Sequence, residues 1–288
     1  MKPLAMVRPF VDGSTGTVTY VVSDIDTRHA AIIDPVLNYE ARSGRTGSGS
    51  ADRVLACVHE HGLTVQWILE THIHADHLSG AHYLKERIGG KTAISEKVRE
   101  VQATFKRFYR LEPTFPADGS QFDHLFRDGD RFRIGNIEAS TLLVPGHTPA
   151  DLAYLIDDAA FVGDTLFMPD LGSARSDFPG GDAQTLYRSI RRLLALPPET
   201  RVFVGHDYPP HGRRFQWETT VSEQRAKNVH VRDGITEQAF IALRQARDAT
   251  LKVPDLMLHA IQINMRAGRF PRPEENGVSY LRLPLNLL

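Results

Sequence analysis

The sequence predicts an α/β fold in which two mixed β-sheets pack face to face and helices lie outside them. Two observations support this prediction. Short runs rich in β-branched and apolar residues occur in two separate batches along the chain. Each batch has segments with the 3.6-residue periodicity of helices, so each sheet is expected to carry helices of its own.

The composition is that of an ordinary globular protein. The chain has 288 residues, of which 41% are hydrophobic and 24% are charged. We interpret residues 1–288 as a single domain with a C-terminal helical extension from about residue 230. The sole cysteine, Cys57, excludes an internal disulfide and is interpreted as a buried structural thiol. A reducing, cytoplasmic location is the expectation that follows.

The charge and hydropathy of the sequence restrict the classes of partner that the protein is expected to bind. The net charge is −1, and the sequence pI is about 6.9, so no broad basic field favours nucleic acid or anionic lipid. The N-terminal stretch MKPLAMVRPFVDG has no apolar run typical of a secretory signal, and no stretch approaches 18 consecutive apolar residues. We therefore expect neither nucleic acid nor a membrane as a partner.

The first batch of elements begins with strands over 17–22 and 30–34, separated by turn residues. The Gly- and Ser-rich segment 38–52 predicts a long loop. Ser50 or Asp52 then caps a helix over RVLACVHEH, which ends before glycine 62.

A buried strand over 65–71 leads directly into a group of histidines. After it, Ala81, Leu84 and Ile88 share one face of a helix that a Gly-Gly pair terminates. A second helix, rich in charged residues, is predicted over 95–110, followed by a loop over 112–120.

The second batch contains five short predicted strands, over 132–140, 141–144, 152–156, 159–163 and 201–206. A helix over 182–195 interrupts them, with Asp182 as its cap. Its inward-facing residues are predicted to be Leu186, Ile190, Leu193 and Leu194. Two further helices are predicted near 237–250, capped by Thr236, and near 255–264.

The stretch ETHIHADHLSG places three imidazoles and one carboxylate within six positions, at His72, His74, Asp76 and His77. Alternate residues at a strand end project the same way, so His72 and His74 can face one ion. Asp76 and His77 follow a bend and can face a neighbouring point. So many ligand-type side chains predict a metal site with one ion or two.

Three more candidates follow predicted strands in short Gly-containing segments: His147 in PGHTP, Asp164 in GDTLF and His206 in GHDY. Each segment alone is weak evidence. Because four such loops follow strand ends, we expect them to converge at one edge of the sandwich.

This order of motifs resembles the metallo-β-lactamase superfamily over roughly residues 5–230, which implies an αββα sandwich with metals at one edge. The resemblance allows a dinuclear zinc hydrolase such as a glyoxalase II-type thioesterase, in which a metal-activated water attacks a carbonyl. In that arrangement one ion is held by His72, His74 and His147, the other by Asp76, His77 and His206, with Asp164 bridging.

Nearly the whole chain resembles the persulfide dioxygenases, through DPVLNYEARSGRTGSGSADR, THIHADHLSGAHYLKERIG, ARSDFPGGDAQTLYRSI, TVSEQRAKN and INMRAG. The resemblance implies one Fe(II) per chain, held by His72, His147 and Asp164. Two histidines and one carboxylate leave three positions open on a six-coordinate iron. Zinc could not take the place of iron in this reaction, because zinc has no redox states in proteins. The residues then left to orient ligands and water are His74, Asp76, His77 and His206. Asp34 either belongs to this set or has a structural role in a turn or a helix cap.

The same resemblance implies that the substrate is glutathione persulfide, which is oxidised to sulfite and glutathione. Its two carboxylates require cationic or polar partners. Arg175 is the first candidate, followed by Tyr208, Arg213 and Arg214. A homodimer is the family-level expectation. A metal-holding sensor without turnover is the non-enzymatic alternative.

Overall fold

The computed structural model describes residues 5–287, and two six-stranded sheets form its centre. Three antiparallel strands at one side of the first sheet continue into a parallel part. In spatial order the strands, numbered along the chain, are β1 (Ala5–Val11), β2 (Val18–Asp24), β3 (His29–Ile33), β6 (Thr64–Leu69), β8 (Lys91–Ser95) and β9 (His124–Phe126).

The second sheet is antiparallel except for one parallel pair, its fourth and fifth strands. Its strands are β10 (Arg131–Ile134), β11 (Ile137–Leu143), β12 (Leu152–Ile156), β13 (Ala159–Phe161), β14 (Arg201–Phe203) and β15 (Glu218–Thr220). A small third sheet contains β5 (Arg45–Gly47), β4 (Val36–Glu40) and β7 (Leu78–Ser79).

The helices are α1 (Gly49–Glu60), α2 (Ala81–Ile88), α3 (Val98–Phe108), α4 (Ala183–Leu193), α5 (Val221–Lys227), α6 (Glu237–Asp248) and α7 (Met257–Asn264). Side chains of α1 and α2 pack on the outer face of the first sheet, and those of α4 and α6 pack on the second. None of the helices within residues 5–287 has the length and hydropathy needed to cross a bilayer.

Strand β2 illustrates why the layers form. Tyr20 and Val22 face the core between the sheets, whereas Val21 faces the helices, because successive side chains of a strand point to opposite faces. Both faces are apolar, so the strand is buried on both sides. The predicted α/β fold with two packed mixed sheets and outer helices is confirmed.

Three predicted segments differ from the structure. The predicted loop 38–52 contains β5 and parts of β4 and α1, because glycine 44 adopts a φ of 69° and turns the chain into a hairpin. The predicted strand 132–140 is two strands, separated by a turn in which glycine 135 has a φ of 58°. The predicted helix 95–110 is shorter, as α3, and the buried strand β8 precedes it.

The cap predicted for α1 is also wrong. The Ser50 hydroxyl donates to the Asp12 carboxylate at 2.6 Å, and the Asp52 carboxylate accepts from the Tyr83 hydroxyl at 2.6 Å. Both side chains are therefore used elsewhere, and α1 begins after Ser48 without a side-chain cap. The caps predicted at residues 182 and 236 are confirmed.

Candidate metal centre

The side chains predicted to bind metal lie together at one edge of the sandwich. They belong to loops that follow β6, β11, β13 and β14, and they are, in that order, His72 to His77, His147, Asp164 and His206. The loops come from both sheets, so the site forms only when the sheets pack together. Strand β6 ends at Leu69, and Glu70 and Thr71 therefore belong to the loop rather than to the predicted strand.

His72, His147 and Asp164 form the first group. They offer ligand atoms that all lie within 4.8 Å of one another. The Nε2 atoms of His72 and His147 lie 3.9 and 3.8 Å from Asp164 Oδ2. Two imidazoles and one carboxylate with this convergence can hold a single transition-metal ion.

The other ring nitrogens of the two histidines are held by the protein. His147 Nδ1 lies 2.8 Å from the Arg175 carbonyl oxygen, which can only accept, so Nδ1 carries the hydrogen. Thr71 donates its hydroxyl hydrogen to Asp34 Oδ2 at 2.8 Å and lies 3.0 Å from His72 Nδ1, so this nitrogen also donates. Both Nε2 atoms are then left as lone-pair donors, as metal ligation requires.

Burial and neighbouring charges favour neutral His72. Burial lowers the pKa of His72 well below its usual value, and His74 and His147 lower it further. Its Nε2 atom is buried and has no hydrogen-bond partner within residues 5–287. A buried lone pair without a partner is costly, so this donor set fits a metal ion.

His74, Asp76, His77 and His206 form a second group with ligand atoms within 4.8 Å of one another. Asp76 Oδ2 lies 2.9 Å from His77 Nδ1 and 3.4 Å from His206 Nε2. His206 Nε2 is also 3.3 Å from Asp164 Oδ1, which connects the two groups. This second group could hold another ion or orient groups around the first.

His74 differs from the other histidines in its surroundings. Its Nε2 lies 3.0 Å from Asp34 Oδ1 and 3.3 Å from Glu70 Oε2, and all three side chains are buried. Burial opposes a charge on His74, but Asp34 and Glu70 outweigh it and raise the pKa of His74 well above its usual value. As long as His74 Nε2 faces these two carboxylates, it is less available to a metal ion than Nε2 of His72 or His147.

A cavity of about 360 Å³ opens beside the first group. This volume suits a small ligand. The wall combines aromatic and basic side chains with the ligands themselves, and it includes Asp76, His147, Asp164, Phe167, Phe178 and Tyr208. A substrate in this cavity would lie directly against the metal-binding residues.

Of the predicted substrate-binding residues, Arg175 and Tyr208 line this cavity, whereas Arg213 and Arg214 do not. The Arg175 guanidinium donates to both Asp177 oxygens, at 2.6 and 2.7 Å, and to the Lys252 carbonyl oxygen. The Arg213 guanidinium is likewise shared between two carboxylates, those of Asp170 and Asp207. Both arginines therefore have carboxylate partners already.

Tyr208 lines the cavity, and its ring stacks on the His206 ring with centroids 5.6 Å apart. Arg214 is exposed and is not among the residues that line the cavity. Sequence reasoning missed Arg247, an exposed residue of α6 that does line it. The sequence signal was weak, since an arginine on an amphipathic helix usually faces solvent.

A buried ion pair on α6 supports the loop that contacts His147. Arg244 donates to the Ser173 carbonyl oxygen at 2.9 Å and pairs with Asp248, one helical turn later. Asp248 Oδ2 accepts from the Ser176 N–H at 2.9 Å. These bonds fix the residues on either side of Arg175, whose carbonyl oxygen holds His147.

Comparisons with known proteins agree with this geometry. The family model described as "Metallo-beta-lactamase superfamily" matches residues 12–206. A "Probable metallo-hydrolase" of Burkholderia pseudomallei is 51% identical, with 98% of this chain and 99% of the relative covered. A "Beta-lactamase hydrolase-like protein" of Xylella fastidiosa is 53% identical over 98% of this chain, which spans 65% of that longer protein.

A more distant relative is the human "Persulfide dioxygenase ETHE1, mitochondrial", which is 29% identical, with 91% of this chain and 89% of the relative covered. The crystal structure of ETHE1 from Myxococcus xanthus matches with a TM-score of 0.73 and 31% identity, covering 92% of this chain and 100% of that one. Sequence match, fold and convergent histidines and aspartates agree: the chain belongs to the metallo-β-lactamase superfamily.

Proposed function

We propose that the protein is an Fe(II)-dependent persulfide dioxygenase that converts glutathione persulfide, O2 and water to glutathione and sulfite. The main support is the convergence of His72 Nε2, His147 Nε2 and the Asp164 carboxylate, with both Nδ1 atoms engaged by the protein. The names of the distant relatives point the same way.

The chain's own residues would define a mononuclear site. His72, His147 and Asp164 would hold the ion, whereas His74 Nε2 is engaged by two buried carboxylates. Fe(II) held in this way would supply redox chemistry and open positions for a sulfur ligand and O2. In the balanced reaction the outer sulfur gains three oxygen atoms, two from O2 and one from water. O2 accepts four electrons, and the inner sulfur leaves as glutathione thiol.

The cavity would bind the glutathione moiety. Phe167 and Phe178 give its wall an apolar surface that limits water around the sulfur atoms. Arg247 is the lining cation best placed to bind a carboxylate, because the Arg175 guanidinium is already occupied. Tyr208 would add a ring face and a hydroxyl at the cavity wall.

The direct test is oxygen uptake by protein loaded anaerobically with Fe(II) and then given glutathione persulfide. We expect equal amounts of O2 consumed and sulfite formed, and no uptake by the same protein loaded with Zn(II). Absence of uptake by the iron form, together with rapid hydrolysis of S-lactoylglutathione, would refute the proposal.

A dinuclear hydrolase is the second candidate, and it has an observation of its own. Asp76, His77 and His206 lie close enough together to hold a second ion, and the more similar relatives have hydrolase names. Two ions would supply an activated water. Metal analysis of freshly purified protein separates the candidates: about one iron per chain favours the dioxygenase, and about two zincs favour the hydrolase.

A further inference from the structure

The side chain of Asn264, at the end of α7, contacts the histidine loop from the far end of the sequence. Its Nδ2 donates to the His74 and His77 carbonyl oxygens, each at 2.8 Å. Its Oδ1 accepts from the Ser79 N–H at 2.7 Å. Asn264 is only 3% exposed, so these bonds form away from solvent.

These three bonds use both amide hydrogens of Asn264 and one acceptor site of its Oδ1 atom. The two carbonyls can only accept and the Ser79 N–H can only donate, so the orientation of the Asn264 amide is determined. The bonded positions lie on both sides of Asp76. One side chain therefore fixes the backbone that aims three metal-site residues, His74, Asp76 and His77.

Helix α7 is itself packed against the histidine loop. Its Ala260 and Ile263 lie in one apolar cluster with Leu78 of β7, the strand that directly follows that loop. Beyond the helix, glycine 268 approaches so closely that a Cβ there would lie 2.8 Å from the Ser79 carbonyl oxygen. The donor amide is thus presented by an element that packs closely against the metal loop.

We propose that Asn264 is a positioning residue for the metal centre, and that α7 is an integral part of that centre. The side chain does not reach the ion. It holds the His74–Ser79 backbone in the conformation in which the ligand loop is ready to bind. The inference rests on the metal site. In a zinc hydrolase the fixed backbone would carry the ligands Asp76 and His77, and in an iron dioxygenase it would continue directly into the ligand His72, two residues before His74.

The test compares Asn264→Ala with Gln262→Ala, a matched control on the same helix. Gln262 is also a buried amide with hydrogen bonds to backbone groups, but its partners are Leu258 and Arg282 rather than the metal loop. Co(II) is titrated into each full-length apoprotein, and amide hydrogen exchange of residues 72–80 is measured without metal.

We expect Asn264→Ala to weaken Co(II) binding about 10- to 100-fold, as is typical when a group that supports metal ligands is removed. Exchange of the Ser79 amide should also accelerate. Gln262→Ala should leave both readouts unchanged, even if it lowers the melting temperature equally. Equal Co(II) affinities and equal exchange in the two variants would overturn the proposal.

A second variant keeps the test decisive if Asn264→Ala does not fold. Asn264→Asp preserves the shape and an acceptor for the Ser79 N–H, but it removes both donated hydrogens and places an oxygen opposite the His74 and His77 carbonyl oxygens. We expect weaker Co(II) binding in this variant too, and wild-type affinity in it would contradict the role of the donors. Neither readout depends on oxygen uptake, so failure here is distinct from failure of the proposed reaction.

Discussion

At the scale of single residues, histidines that lie close together in the site differ in the contacts of their two ring nitrogens. His72 and His147 each donate Nδ1–H to a protein oxygen and present Nε2 to the site. His74 instead places Nε2 between Asp34 and Glu70. The motif alone makes His72 and His74 look equivalent, whereas their contacts assign them different roles.

This difference predicts distinct effects of Asp164→Ala and His74→Ala. Loss of Asp164 removes the only carboxylate of the first group, so we expect the purified variant to retain almost no iron. Loss of His74 removes an imidazole from between two carboxylates but leaves His72, His147 and Asp164 in place. This variant should keep most of its iron and lose activity. Metal analysis beside an activity assay checks this, and equal iron loss in both variants would identify His74 as a ligand.

Arg247→Ala should weaken binding of the anionic substrate. A charge-assisted hydrogen bond contributes roughly 1.5–3 kcal/mol, less where solvent is near, so we expect the KM for glutathione persulfide to rise about tenfold. The kcat should change little, because Arg247 is not a ligand. Arg214→Ala is the control, since Arg214 is also exposed but is not part of the cavity lining. A larger rise in KM for Arg214→Ala than for Arg247→Ala would support the sequence-based prediction that Arg214 binds the substrate.

The candidate ligands were predictable because each is a residue type that metals require, placed after a strand end. The residues that support them were not. Asn264 and Asp248 act through backbone groups that are distant in sequence, and Thr71 orients the His72 ring while its hydroxyl donates to the carboxylate of Asp34 on another loop. Such contacts depend on tertiary packing. Arg175 shows the same limit, because the contact of its carbonyl oxygen with His147 and the pairing of its guanidinium with Asp177 are not visible in the sequence.

At the scale of elements, prediction succeeded where local signals were strong. The amphipathic pattern of α4 placed Leu186 and Ile190 in the core, and both are fully buried. Short elements were missed, among them β1, β9, β15 and α5. Strand β9 has only three residues, of which His124 is exposed, so no alternation is visible in the sequence. Such strands are defined by their partners in the sheet.

The buried pair on α6 predicts a large stability effect. Asp248→Ala leaves the Arg244 guanidinium buried without its carboxylate, so we expect the free energy of unfolding to fall by about 3–5 kcal/mol. Lys97→Ala, which breaks the exposed pair with Glu100, should cost no more than about 1 kcal/mol. Urea denaturation of the apoproteins measures both values. Similar small losses would mean that the α6 pair does not brace the 173–176 loop.

At the scale of the whole molecule, the C-terminal extension is continuous with the rest of the protein. Met257 and Ile261 of α7 share an apolar cluster with Phe105 of α3, and Phe240 of α6 shares another with residues of the second sheet. The extension therefore covers apolar surface at two separate places. Sequence predicted these helices but could not show which surfaces they cover, because helical periodicity gives a buried face without naming its partner.

This continuity predicts that the chain is one cooperative unit, as the single-domain interpretation requires. A chain ending at residue 229 loses α6 and α7, and with them the Asp248 and Asn264 contacts to the metal loops. Burial of Phe240, Met257 and Ile261 contributes roughly 1.5–3 kcal/mol for each side chain, which is comparable in sum with the stability of a whole domain. We expect the truncated protein to show no cooperative thermal transition by circular dichroism and to retain no metal.

A control chain ending at residue 283 removes the exposed Leu285 and Leu287 but keeps both helices, so it should melt like the full-length protein. A cooperative transition with a full complement of metal in the shorter chain would instead establish residues 230–288 as a separable domain.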